Sequence, residues 1–206
     1  IIDPIVDFTE SIIAEKQIPR NKILGVGIEM PGMVDSDTGI NKTYMVSGTP
    51  VAEVFRNRFD LEVLIENDAK TRAFAELRFG AAHNRKNVLA IHLDWGIGLG
   101  IIVNGKLYKG RDGFAGEFGH LPMVENGILC KCGKQGCLET IASGTAIARM
   151  AVEGMKAGRS SFLGQLIDED PEKIEIRKVV QAATMGDQYS ISILANVGFW
   201  LGKGLS

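Results

Sequence analysis

One histidine and three cysteines crowd into a short stretch of this chain: His120, then Cys130, Cys132 and Cys137. No cysteine lies anywhere else in the 206 residues. Three thiolates and one imidazole compose a closed tetrahedral Cys3His set, the composition of a structural zinc site. Soft sulfur donors select zinc over calcium or magnesium. Gly133 and Gly136 let the backbone turn tightly enough for Cys132 and Cys137 to converge on one ion. The competing reading is three small core or redox cysteines beside an unrelated histidine; the tight clustering and the glycine spacers favour zinc. An odd cysteine count argues against a disulfide framework, and the clustering points to a reducing, cytoplasmic setting.

Two carboxylates are tethered to that segment. Glu117 lies three residues before His120, and Glu139 two residues after Cys137. Ionised carboxylates are strong, acceptor-only partners for the hydroxyls of a neutral sugar. An imidazole with one nitrogen on zinc has its other N–H fixed in direction, toward a carboxylate or a ligand hydroxyl. Glu117 and Glu139 can equally be solvated acids or partners of His120. Asn67-Asp68 falls where a strand ends and a helix begins, which is where ligands bind in open α/β sheets, and also where Asn and Asp routinely cap helices. Gly96, Gly98 and Gly100 alternate after an apolar strand, a spacing that brings backbone N–H groups close to a phosphate or simply makes a tight turn. No Gly-Lys-Ser/Thr follows, so this is not a P-loop.

The elements that must hold these residues read as follows. Asp3-Pro4 opens a helix whose apolar face is Ile5, Phe8, Ile12 and Ile13, closed by Gln17-Ile18-Pro19. Residues 23–30 and 61–65 are short strands. Asn67 or Asp68 caps a helix with Ala69, Ala73, Phe74 and Leu77 inward and Gly80 as its stop. Residues 88–93 and 100–103 are strands, and Asn104-Gly105 turns a hairpin back through 106–109. Residues 110–136 lack periodicity and contain seven glycines, a stretch that needs something other than a core to order it. Helices follow from Leu138, whole or broken at Ser143-Gly144. Phe162, Leu163, Leu166 and Ile167 suggest a short amphipathic helix, Ile176, Val179 and Val180 another, and 191–205 a last one. Strands interleaved with helices, then mostly helices, indicate an α/β fold.

Composition closes off other classes. Apolar residues make up 45% and charged residues 23%, ordinary globular usage that excludes a disordered chain. A net charge of −2 supplies no global pull toward DNA or an anionic membrane. No apolar run is long enough for a membrane span, and no signal peptide is visible. The first residue is Ile1 rather than Met and an apolar helix runs to the last residues, so a fragment lacking its terminal parts is expected.

Together these segments resemble the ROK family of repressors, open reading frames and kinases. The resemblance rests on GlyValGlyIleGluMetProGlyMetValAsp (25–35), GluAsnAspAla (66–69), GlyIleGlyLeuGly with AsnGlyLysLeuTyrLysGly (96–110), AlaGlyGluPheGlyHis (115–120) and CysLysCysGlyLysGlnGlyCysLeuGluThr (130–140). It implies an actin-like, ribonuclease-H-like ATPase fold of two α/β lobes with a sugar in the cleft, residues 1–206 being part of the sugar-binding region. It implies sugar contacts at Asn67, Asp68, Glu117, His120 and Glu139, a catalytic base at Asp68, zinc ligands at His120, Cys130, Cys132 and Cys137, and a homodimer.

The departures from the family pattern bear on function. Its kinases carry Gly-Thr-Gly at the second phosphate loop, where this chain has Asp94-Trp95-Gly96. Tryptophan lacks the phosphate-binding hydroxyl and an added carboxylate repels a polyphosphate; Leu99 also replaces a frequent glycine, which makes Gly96, Gly98 and Gly100 a degenerate phosphate loop. The family's first phosphate motif and its adenosine motif are not in the sequence. The expectation is therefore a hexose- or amino-sugar-binding effector domain of a ROK-type regulator, whose DNA-reading helix-turn-helix is outside this chain. The alternative is an ATP- and magnesium-dependent sugar kinase with Asp68 as base, and a third reading is a domain that only assembles with itself.

Overall fold

A computed structural model describes residues 2–44, 49–166 and 175–206. The chain divides into two units, one of residues 1–90 and 100–115, the other of residues 91–99 and 116–206.

The first unit is built on a parallel strand pair. β1 (Val26–Met30) runs beside β4 (Val63–Asn67), in register from Val26 opposite Val63 to Met30 opposite Asn67. A small antiparallel pair, β2 (Val34–Asp35) and β3 (Ile40–Asn41), and the helix α2 (Val51–Phe59) connect them. Because strand side chains alternate, Val63 and Ile65 turn into the core while Leu64 faces solvent. There they meet Val6, Val34, Val51, Ala52, Phe55 and Phe59. Phe55 and Phe59, one helical turn apart on α2, stack with ring centroids 6.0 Å apart. This helix and the β2–β3 pair are elements the sequence reading lacks.

The first helix, α1 (Ile2–Glu15), corrects an expectation. Its buried residue is Val6, whereas Ile5, Phe8 and Ile12 are exposed, so the stripe facing the core lies one step round from the expected one. The helix also starts ahead of Asp3; Pro4 is tolerated in a first turn because its missing N–H would have had no helical acceptor. It ends before Gln17, whose φ of +51° leaves the helical region.

After β4 comes α3 (Asp68–Phe79), with Asn67 as its N-cap: the side-chain oxygen accepts from the Lys70 N–H at 3.2 Å. Ala69 and Ala73 are buried as expected, but Lys70 is buried too and Phe74 is exposed. Gly80 closes the helix, its N–H donating to the Glu76 carbonyl. β5 (Val88–Leu93) and β6 (Ile97–Val103) are neighbours in a three-stranded sheet with β7 (Lys106–Leu107), and their chain passes from the first unit to the second and back. Asn104 and Gly105, both at positive φ, make the expected hairpin turn.

The second unit is mainly helical. α4 (Leu138–Ala142) and α5 (Gly144–Lys156) are separated at Ser143, whose hydroxyl accepts from the Ala146 N–H and caps α5. α6 (Ile176–Thr184) and α7 (Gln188–Leu205) pack with them around Ile147, Ala151, Val179, Ala182, Ile193 and Val197. Asp187 caps α7: Oδ1 accepts from Ser190 N–H at 2.7 Å and Oδ2 from Phe162 N–H at 3.0 Å. A single 3-10 turn, Leu163–Gln165, stands where a short amphipathic helix was expected; Ile167 lies outside the described residues. Between Gly116 and Cys137 the regular structure is one 3-10 turn, Phe118–His120, and two isolated bridges, Pro122 with Cys137 and Leu129 with Gln135. No helix among the described residues is long and apolar enough to cross a membrane.

Candidate functional site

The Cys3His set converges. Ligand atoms of His120, Cys130, Cys132 and Cys137 all lie within 4.8 Å of one another. His120 Nδ1 is 3.6 Å from Cys130 Sγ, and Cys132 Sγ is 3.6 Å from Cys137 Sγ. Tetrahedral zinc with Zn–S bonds of about 2.3 Å requires sulfurs roughly 3.8 Å apart, so the Cys132–Cys137 pair already stands near the length of one edge of such a site. Local folding explains the convergence. The Gly133 N–H donates to the Cys130 carbonyl and the Cys130 N–H to the Lys134 carbonyl, closing a knuckle around Cys132. The Pro122–Cys137 bridge then brings Cys137 beside the His120 strand of chain, and Lys134 Nζ donates to the His120 carbonyl.

The buried and exposed thiols differ in acidity. Burial pushes Cys137 up to about 12, and Cys132 and Cys130 push the same way. Burial acts to raise Cys132 too, but hydrogen bonds from the Lys134 N–H and the adjacent thiols outweigh it and hold Cys132 below the ordinary range. Sulfurs this close ionise together only when positive charge balances them, which is what a divalent ion supplies.

Two carboxylates hang from this frame. With Nδ1 facing the sulfurs, His120 Nε2 faces Glu117 Oε2 at 3.9 Å. Cys137 is the N-cap of α4, so Glu139 sits in the first turn of that helix. One of its oxygens, Oε2, accepts from the Ile97 N–H at 3.1 Å, and it approaches Gly96 so closely that a Cβ there would stand 2.6 Å away. Gly96 is therefore a seat for Glu139. β6 begins at Ile97 rather than at the expected Gly100, so Gly98 lies within the strand and not in a loop.

The turn before β6 is closed on itself. Asp94 Oδ1 accepts from the Trp95 N–H at 2.9 Å, and the Asp94 N–H donates to the Gly96 carbonyl at 3.0 Å. The Gly144 N–H and the Thr145 hydroxyl, at the start of α5, donate to the Asp94 and Trp95 carbonyls. The Trp95 ring is exposed.

In the first unit, the parallel register sets Met30 opposite Asn67, so the Pro31-Gly32 turn follows directly beside the start of α3. Asn67 Nδ2 donates to the Gly32 carbonyl at 3.1 Å and to Asp68 Oδ1 at 3.0 Å. Gly32, at φ +87°, holds a left-handed turn in which a Cβ would strike Thr43. Asn41, fully buried, keeps that turn in place by donating to the Pro31 carbonyl at 3.0 Å while accepting from the Thr43 and Tyr44 N–H groups. Sequence reasoning missed Asn41, because a lone asparagine carries no periodicity and the carbonyl it holds, that of Pro31, belongs to another segment. The structure thus joins Asn67 with Asp68 in one unit, and Glu117, His120 and Glu139 around the cysteine cluster in the other.

The ROK family model matches residues 2–206. A glucokinase of Halalkalibacterium halodurans is 35% identical over 192 residues, covering 91% of this chain and 58% of that protein. The xylose repressor of Bacillus subtilis is 30% identical over 206 residues, covering 99% of this chain and 50% of the repressor. Among solved structures, a ROK family glucokinase from Streptomyces griseus, in complex with glucose and AMPPNP, matches with a TM-score of 0.85 at 34% identity over 98% of this chain and 66% of that one. This chain spans about half to two-thirds of the length of the proteins it matches.

Proposed function

The chain belongs to the ROK family, with its α/β actin-like fold, and on that premise we propose that it is the sugar-binding effector region of a transcriptional regulator. In this reading Asn67, Asp68, Glu117, His120 and Glu139 are sugar contacts, the carboxylate oxygens accepting from the hydroxyls of a hexose or amino sugar. Zinc held by His120, Cys130, Cys132 and Cys137 orders the glycine-rich segment and fixes the Nε2–H of His120 as a donor. DNA is read by a segment outside this chain, the protein acts in a reducing compartment as a homodimer, and sugar shifts operator affinity by coupling.

The observation that carries the regulator reading is the Asp94–Trp95 turn. Its Trp95 N–H already donates to the Asp94 carboxylate, and Trp95 itself carries no hydroxyl to hold a phosphate. A fixed anion at that turn opposes a second, polyphosphate anion. A second reading, an ATP-dependent sugar kinase, is favoured by the 35% identity to a glucokinase and by Asp68. One oxygen of Asp68 is engaged by Asn67 and Ala69, and the other remains available to take a sugar hydroxyl proton.

Titration with D-glucose, N-acetylglucosamine and D-xylose, followed by calorimetry and by the fluorescence of Trp95 and Trp200, tests the reading. Saturable binding without nucleotide is expected for one of them, and binding of none overturns it. A coupled ADP-release assay on the full-length protein separates the two readings: turnover abolished by Asp68→Asn establishes the kinase.

A further inference from the structure

We propose that Lys109 is a positioning residue for Asp68, acting through Glu66 and Asn67. Its purpose rests on the sugar-site reading above; its geometry does not. Lys109 Nζ lies 2.5 Å from Glu66 Oε2 and 2.7 Å from the Ser36 hydroxyl. The other oxygen of Glu66 accepts from the Asn67 backbone N–H at 2.9 Å. Asn67 in turn spends both hydrogens of its amide, one on the Gly32 carbonyl and one on Asp68 Oδ1, while its own oxygen takes the Lys70 N–H. Asp68 Oδ1 also accepts from the Ala69 N–H at 2.9 Å. One carboxylate oxygen is thereby pinned by two donors, and Oδ2 has no protein donor among the described residues. The rotation of the carboxylate, and so the direction its working oxygen faces, is set by this chain of bonds.

The lysine is itself held. The Ala115 N–H donates to the Lys109 carbonyl, closing the segment after β7 on itself, and the buried Lys70 donates from Nζ to the Gly113 carbonyl, tying that segment to α3. Glu66 is half-buried one residue from Asp68's cap; without a cation beside it, its carboxylate gains by turning to water, and the Asn67 N–H loses its acceptor. Asn67, with its donors committed, acts here as the orienter of Asp68.

Amide exchange and 15N NMR of the whole chain test this. Lys109→Met is expected to speed exchange of the Asn67 backbone N–H by about tenfold and to shift its side-chain amide pair, while Lys109→Arg keeps both near wild type, since the charge and donors remain. Glu66→Ala is expected to reproduce the Lys109→Met pattern, and the double variant to add nothing to either. Any sugar that saturates the wild type is expected to bind about tenfold more weakly to Lys109→Met and within roughly threefold to Lys109→Arg. Unmoved Asn67 signals, equal losses for Met and Arg, or additive effects in the double variant each overturn the relay. A wild type that binds no sugar overturns the sugar reading alone, leaving the Asn67 signals to decide the relay.

Discussion

The two units hold their acidic side chains by opposite means. In the first, Asn67 and Asp68 stand at the end of a strand backed by Phe55, Phe59, Val63 and Ile65, and a web of hydrogen bonds sets their rotamers. In the second, Glu117 and His120 ride on a segment from Gly116 to Cys137 that has almost no regular structure and whose fixed point is the Cys3His cluster. Apolar burial is non-directional and tolerates small adjustments; ligation is directional and all-or-none. Order in the first region is therefore spread over many contacts, and in the second concentrated at one centre.

With zinc at the cluster as proposed, removing it is the strongest way to break this contrast. Cys137→Ser or a chelator is expected to abolish bound zinc and to cost on the order of 5 kcal/mol or more in the second unit. Hydrogen exchange mass spectrometry should show residues 116–137 losing protection while 51–67 keep theirs; equal losses would erase the distinction. Next in size, Phe59→Ala should cost about 3–5 kcal/mol by denaturant unfolding and leave zinc content unchanged. Asp187→Ala, which removes the α7 cap and the tie to Phe162, should cost about 1–2 kcal/mol. Burial acts to raise the Asp187 carboxyl, but the Ser190 and Phe162 N–H groups outweigh it and hold it below the usual range. The unfolded chain then binds the extra proton near an ordinary aspartate value of about 3.9, so this contribution is present above that pH and fades as pH falls through the lower folded value. The difference between wild type and Asp187→Asn should narrow accordingly in acid. Smallest of all, Phe8→Ser should change stability by no more than about 0.5 kcal/mol, because the ring is exposed; a loss of several kcal/mol would put Phe8 on the core face after all.

That last pair shows what one-dimensional reading can resolve. The cysteine cluster was legible because all four donors fall within a short span and no common structural role accounts for that grouping. The break at Ser143 was legible as one of two alternatives, the capping partner Ala146 being only three positions away; the last helix was placed from Ile191, without its cap Asp187. The orientation of α1 was not, since Ile5, Phe8 and Ile12 make as good a helical stripe as Ile2 and Val6, and only tertiary contact chooses between them. α2 escaped notice although Phe55 and Phe59 have helical spacing, because it is short and Glu53, Arg56, Asn57 and Arg58 interrupt its apolar positions. In the site, Asn67 was seen as a cap or a ligand contact, while its bond to the Gly32 carbonyl depends on a partner 35 residues away. The gap between Gly96 as a phosphate turn and Gly96 as the seat of Glu139 has the same origin.

Helix α7 adds a mechanical property. At one end, Gly204 abuts the rings and methyls of Phe118 and Leu138, immediately beside His120 and Cys137; at the other, Asp187 grips the Phe162 backbone. Eighteen residues of helix make a rod of roughly 27 Å, so a tilt of about five degrees at the cluster end sweeps the far end by about 2 Å. A displacement too small to notice at Glu139 would thus arrive as a visible excursion on the opposite flank of the unit.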